Sequence, residues 1–321
     1  MLYFLLKIYA RLIIGIFCRK IRVSNKQFLS FSGPLILAAN HPNSFLDAVI
    51  IDTLFDKPVY SLARGDAFSK KWIAHILKAL KILPVYREKE GKENLHRNYN
   101  TFEACQDIFK NEGIVLIFTE ALSENEWHLR PLKKGTARLA VAAWEQNIPL
   151  KILPIGLNYS SFRLFGKNVH LNIGTPITRK QLKTTVDENG KLLNEITENI
   201  ELQLRELVYE IDKNDKKKQA AIFTTPVPVL RKILLYTPAS IGCVTHCVLY
   251  WPLQKLLWKK ISPTGHFDSV ITALLFFIYP FFLLFFALVA NYFIGAWGWL
   301  VFMLFPFFAW SYVQLKRQTD K

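Results

Sequence analysis

The stretch Leu35-Ile36-Leu37-Ala38-Ala39-Asn40-His41-Pro42-Asn43-Ser44-Phe45-Leu46-Asp47 reads as an apolar strand, a polar turn and the start of a helix. The apolar pattern of that helix continues over 48–55. A histidine and a carboxylate brought together at such a turn can form a hydrogen-bonded pair of base and orienting group. Such a pair can take a proton from an alcohol near neutral pH. Outward from this point, strand-like runs at 35–39, 59–62, 82–85, 114–118, 152–157 and 169–173 alternate with helical patterns at 48–55, 71–79, 94–110 and 136–146. The alternation predicts an α/β fold, a mostly parallel sheet flanked by helices. Each motif described below follows one of these strands, where open α/β sheets place their sites.

The rest of the chain is of another kind. Of 321 residues 51% are hydrophobic and 14% aromatic, yet the net charge is +16. Such a combination suits a protein on an anionic membrane, with apolar segments in lipid and basic ones at the headgroups. The basic residues cluster beside apolar segments and no nucleic-acid motif is present, so nucleic acid is not the expected partner. The four cysteines match no disulfide framework or zinc spacing, and no metal site or cofactor is expected.

Segments 269–290 and 292–315 carry no charge. At ~1.5 Å rise per residue each is long enough for the ~30 Å hydrocarbon layer, so the pair reads as a transmembrane helical hairpin, kinked at Pro280 and Pro306. Lys259 and Lys260 before it, with Lys316 and Arg317 after it, put both ends and the catalytic domain on the cytoplasmic face. A third apolar stretch, 233–254, is interrupted by Pro238, Gly242, His246 and Pro252, and reads as re-entrant or interfacial. The start of the chain is apolar, but Lys7 and Arg11 fall on one helical face, which predicts a helix lying in the membrane interface. The expected organisation is an interfacial helix at 1–24, a catalytic domain at 25–212, a polar linker at 213–228 and a membrane region at 229–321. Every motif precedes Asp212, so the C-terminal hairpin is expected to be an anchor.

Four motifs together resemble the glycerolipid acyltransferases. Asn40 to Asp47 is similar to their histidine–aspartate motif, and Ile82-Leu83-Pro84-Val85-Tyr86-Arg87 to their second, which ends in arginine. Ile117-Phe118-Thr119-Glu120 resembles the start of the third, usually Phe-Pro-Glu-Gly, with Leu129-Arg130-Pro131-Leu132-Lys133-Lys134-Gly135 following it. Ile148-Pro149-Leu150 and Leu153-Pro154-Ile155 match the fourth. Five residues separate His41 from Asp47 where most of the family has four. The longer spacing, and a serine with polar neighbours like Ser123-Glu124-Asn125, resemble the fungal-type glycerol-3-phosphate acyltransferases. Thr119 and Ala121 replace the usual proline and glycine.

The resemblance implies a fatty acyl group moved from an acyl thioester, on coenzyme A or acyl carrier protein, to a hydroxyl of glycerol 3-phosphate or 1-acylglycerol 3-phosphate. His41 is the expected general base and Asp47 fixes its tautomer. Backbone N–H groups of Asn43 and Ser44 are candidates for the oxyanion, and Ser44 reads as a helix cap rather than a nucleophile. Arg87 is the first candidate for the acceptor phosphate, with Arg130, Lys133 and Lys134 behind it. Glu120 is expected to organise the acceptor site and Asn40 the loop before His41. Membrane lipids are the expected partners. The sequence leaves open another lysophospholipid or aminolipid as acceptor, and a membrane lipid-binding scaffold of the same fold with little turnover; the number of copies in the assembly is not legible in it.

Overall fold

A computed structural model of the chain describes residues 2–86, 92–184, 189–261 and 264–320. Helix α1 (Leu2–Phe17) leads directly into strand β1 (Cys18–Val23), and a short 3-10 segment precedes β2 (Leu35–Ala39). The order then runs α2 (Phe45–Leu54), β3 (Val59–Arg64), α3 (Lys71–Ala79), β4 (Ile82–Val85), α4 (Lys92–Lys110), β5 (Ile114–Phe118) and α5 (Gly135–Glu145). Next come β6 (Lys151–Tyr159), β7 (Lys167–Ile173), the two-residue β8 (Ile177–Thr178), α6 (Asn189–Leu207) and α7 (Lys216–Phe223). Three long helices close the chain: α8 (Val229–Ile261), α9 (Phe267–Ile294) and α10 (Val301–Leu315).

The strands form one sheet in the order β1-β7-β6-β2-β5-β3-β4, with β8 on β6. From β6 to β4 all pairings are parallel, and β7 runs antiparallel to β6. Alternate residues of β2 enter different cores, as a strand's two-residue period requires. Leu35, Leu37 and Ala39 pack with α2, the second half of α8 and the start of α9, whereas Ile36 and Ala38 pack with α4, α5 and α6. All of β2 is fully buried, which explains why its sequence is continuously apolar. The parallel strands point the loops after β2 and β5 to one edge of the sheet.

Four expectations are corrected here. The N-terminal helix stops at Phe17, and 18–23 form an edge strand paired parallel with β7. Its charges, on Arg19, Lys20 and Arg22, protect the edge of the sheet from further pairing. Lys7 does not face outward, and Arg11, though exposed, is tethered to α2. Lys7 is buried with its Nζ 3.4 Å from Asp52, and Arg11 Nε donates to the Thr53 carbonyl at the end of α2. What α1 turns outward is the apolar stripe Phe4, Leu5, Ile8 and Leu12. The polar linker contains a docked helix, α7, capped by Asp215 accepting from Lys218 N–H and seated by the fully buried Phe223.

The fourth correction concerns the hairpin turn. It falls at 295–300 rather than at Asn291, because Gly295 takes a left-handed φ of 62° and Gly298 lies against the Asn291 backbone. A Cβ on Gly298 would sit 2.2 Å from Asn291 N, so the turn closes only with glycine there. By length and apolarity, 229–261 and the 267–315 unit could each cross a membrane. Helix α8 continues through Pro238 and Pro252, and both its ends return to the α/β layer. Arg231 donates to Gln314, which itself donates to the Arg19 carbonyl of β1, while Leu257 is buried in the same core as α2.

Candidate active site

His41 sits immediately after β2, with its ring half-buried and stacked on Phe118 at 3.7 Å. Its Nδ1 lies 2.9 Å from Asp47 Oδ2. Asp47 is fully buried in the first turn of α2, where the helix dipole favours a negative charge. Its Oδ2 also accepts from Asn43 N–H at 2.8 Å, and its Oδ1 accepts the Tyr159 hydroxyl at 2.6 Å. Tyr159 is itself fully buried on β6, with its carbonyl held by the Trp127 indole N–H. A carboxylate so fixed makes His41 Nδ1 the protonated nitrogen and leaves Nε2 as the basic one. Among the described residues Nε2 has no hydrogen-bond partner and is not enclosed.

The loop carrying this pair is gripped from three directions. From the third motif, buried Glu120 accepts His41 N–H at 2.7 Å through Oε2 and Arg130 N–H at 2.8 Å through Oε1. Burial raises the Glu120 carboxyl above its ordinary value, against the pull of those two N–H donors. Ser123 Oγ accepts Ser44 N–H, Glu124 N–H donates to the His41 carbonyl, and Asn125 donates to the Pro42 carbonyl. From the sheet, Asn40 exchanges both amide bonds with the Leu157 backbone, extending the β2–β6 ladder by one side chain.

The third grip comes from the first turn of α9. Asn43 Nδ2 donates to Asp268 Oδ2 at 2.9 Å, and Ser269 Oγ donates to the Asn43 carbonyl while accepting Leu46 N–H. Ser44 Oγ lies 3.0 Å from His266 Nδ1. Asp268 is ion-paired with Lys167, the first residue of β7, and both are buried. Burial depresses the pKa of the Lys167 ammonium, with Cys18, Asp320 and Asp47 pulling the other way.

Two local readings fail. Ser44 occupies the N-cap position of α2 with φ 50° and ψ −136°, but its side chain makes no cap hydrogen bond because it is turned to His266. The Asn43 and Ser44 N–H groups are not open for an oxyanion, since Asp47 and Ser123 already accept them. Glu120 and Asn40 hold the loop through these backbone bonds. Arg130 is half-buried with Nη1 on Glu126, whereas Lys133 and Lys134 are exposed near the N-terminus of α5. Arg87 lies outside the described residues. Among those described, no cluster of side chains suitable for a metal ion is found.

Sequence reasoning missed Tyr159, Lys167, Asp268 and Ser269. Their one visible signal was the His266-x-Asp268 pair at the mouth of an uncharged span, where a carboxylate has little reason to be unless it is paired.

With this geometry in hand, the chain can be set beside known proteins. Residues 20–158 match the family described as Acyltransferase, a segment that contains β2, the His41–Asp47 loop and the third motif and stops before Tyr159 and α9. Among solved structures, the 1-acyl-sn-glycerophosphate (LPA) acyltransferase PlsC of Thermotoga maritima is similar over 70% of this chain and 81% of its own, at 15% sequence identity and a TM-score of 0.48. No curated protein matches the chain.

Proposed function

We propose that this protein is a membrane-bound O-acyltransferase that moves a fatty acyl group from an acyl thioester to a hydroxyl of glycerol 3-phosphate or 1-acylglycerol 3-phosphate. The observation that supports it most is the orientation of His41, with Nδ1 tied to a carboxylate buried on all sides and Nε2 left open, inside a segment that matches acyltransferases. Nε2 takes the proton of the acceptor hydroxyl as its oxygen attacks the thioester carbonyl. The resulting tetrahedral intermediate collapses, the C–S bond breaks, and the imidazolium returns its proton to the departing thiolate. Asp47 stays ionised throughout and stabilises the imidazolium.

Arg87 is assigned to the acceptor phosphate on its place in the second motif. The apolar helices keep the site at the surface where lysophosphatidate and its products partition, and the flanking lysines favour the cytoplasmic face. The test is direct. Purified full-length protein in detergent is offered labelled acyl-coenzyme A and acyl-acyl carrier protein with a panel of phosphorylated and unphosphorylated acceptors. Acylation confined to glycerol phosphates supports the reading, and acylation of none, by folded protein, overturns it.

A further inference from the structure

Several hydroxyls in the long C-terminal helices bond back into their own helix. Ser240, Thr245 and Ser311 each donate to the carbonyl four residues before them, as hydroxyls in apolar helices do. Thr272 of α9 does not. It is 6% exposed, and its Oγ1 has no hydrogen-bond partner among the described residues. A buried hydroxyl left unpaired costs about 1–3 kcal/mol, so the site calls for an acceptor from outside the chain.

Thr272 lines a cleft of about 170 Å³ between α1, α8, α9 and α10, an order of magnitude more than the ~10–15 Å³ that one water needs. Ile13, Phe17, Leu249, Leu275 and Ala309 make most of its wall apolar, and such a wall favours hydrocarbon over water. Lys316, the first residue past α10, also lines it. Its Nζ lies 5.9, 5.6 and 5.6 Å from the ring centroids of Phe165, Tyr250 and Tyr312, and no carboxylate pairs with it among the described residues. An unpaired cation held by rings beside an apolar cleft, with a spare hydroxyl donor within it, matches the chemistry of one molecule. That molecule has an anionic phosphate, an ester carbonyl and a fatty chain.

We infer that this cleft binds an anionic bilayer phospholipid, with its phosphate on Lys316, one chain between α8 and α9, and an ester oxygen accepting the Thr272 hydroxyl. The inference does not depend on acyl transfer, since none of these residues belongs to the His41 loop or its partners.

Full-length protein in phosphatidylcholine nanodiscs doped with phosphatidylglycerol bearing a photoreactive acyl tail supplies the test. Crosslinks should concentrate on cleft residues of α8 and α9 and fall about tenfold or more in Lys316→Glu, the loss expected for a charge-assisted bond. Val244→Trp, on the outward face of α8, should leave the yield unchanged. The native chain gives a second readout that needs no substitution. Cys243 and Cys247 line the cleft while Cys18 and Cys105 are buried in the α/β cores, so phosphatidylglycerol should slow maleimide labelling of the first two several-fold more than phosphatidylcholine does. Crosslinks spread evenly over the outward faces of these helices, or equal protection by the two lipids, would overturn the inference.

Discussion

The α/β layer and the C-terminal helices place their polar residues in contrasting ways. In the sheet they follow the last residue of each strand, so the loops after β2 and β5 supply His41, Asp47, Glu120 and Ser123 to one edge. In the helices the span from Ser269 to Leu315 has no charge at all, and its polar groups gather where it meets that same edge. Asp268 and Ser269 hold Asn43 at the start of α9, and Gln314 bonds to Arg19 at the end of α10. A helix that served only to hold the protein in a bilayer would have no need to bury a carboxylate against Asn43 and Lys167. The difference teaches that the apolar C-terminal helices begin against the candidate site.

The largest effect belongs to the base. His41→Ala should lower turnover by roughly 10²–10⁴ and leave the fold intact, because the ring is half-buried and its loop is held through backbone bonds. Near-wild-type initial rates from folded His41→Ala protein would remove the α/β edge from the chemistry. Next comes Tyr159→Phe, which deletes one donor to Asp47 and keeps the ring. A hydrogen bond to a charged group is worth about 1.5–3 kcal/mol, so kcat should drop by about tenfold to a hundredfold with KM for both substrates held. A change in KM alone would mean that Tyr159 shapes a pocket and does not position Asp47.

Glu120 gives a smaller, pH-dependent effect. Because burial raises its carboxyl above the ordinary 4.5, its contribution to stability is complete below that value and is lost as pH rises through the folded value. Glu120→Gln has no such titration, so the stability gap between variant and wild type should narrow from about pH 4 to about pH 8, measured by thermal unfolding in detergent. A gap that widens over this range would show that the ionised carboxylate is the form the fold prefers. Smallest is Ala121→Gly. Ala121 has φ 58°, where a Cβ is penalised, so glycine should be neutral to stabilising by up to about 1 kcal/mol. A loss of stability would mean that the Ala121 methyl packs usefully.

Much of the first region was legible in the sequence. The six strand-like runs were marked by short apolar stretches, and the Asn40–Asp47 turn by its polar residues between two of them. Ser123-Glu124-Asn125 was noticed for its family likeness, and in the structure it bonds His41, Pro42 and Ser44 of the loop after β2. Periodicity could not reveal β1, because six residues at a helix end carry too little pattern to separate strand from helix. Nor could it find the Tyr159 bond or the Lys167–Asp268 pair. Those contacts join residues 112 and 101 positions apart, and such pairings follow from how the sheet and α9 pack, not from local composition.

The contrast between the two regions can be tested most directly at that buried pair. Lys167→Met with Asp268→Leu exchanges the ion pair for apolar side chains of similar size, a change that often leaves stability near the wild-type level, while either substitution alone strands a buried charge at about 3–5 kcal/mol. The double variant also removes the acceptor of Asn43 Nδ2, the link from α9 to the loop that holds Asp47. Steady-state acyl transfer by the double variant, in protein whose unfolding temperature matches wild type within a few degrees, is the deciding measurement. The predicted result is kcat lowered at least tenfold with little change in KM. Wild-type kcat in that folded variant would contradict the account and return the C-terminal helices to the role of an anchor alone.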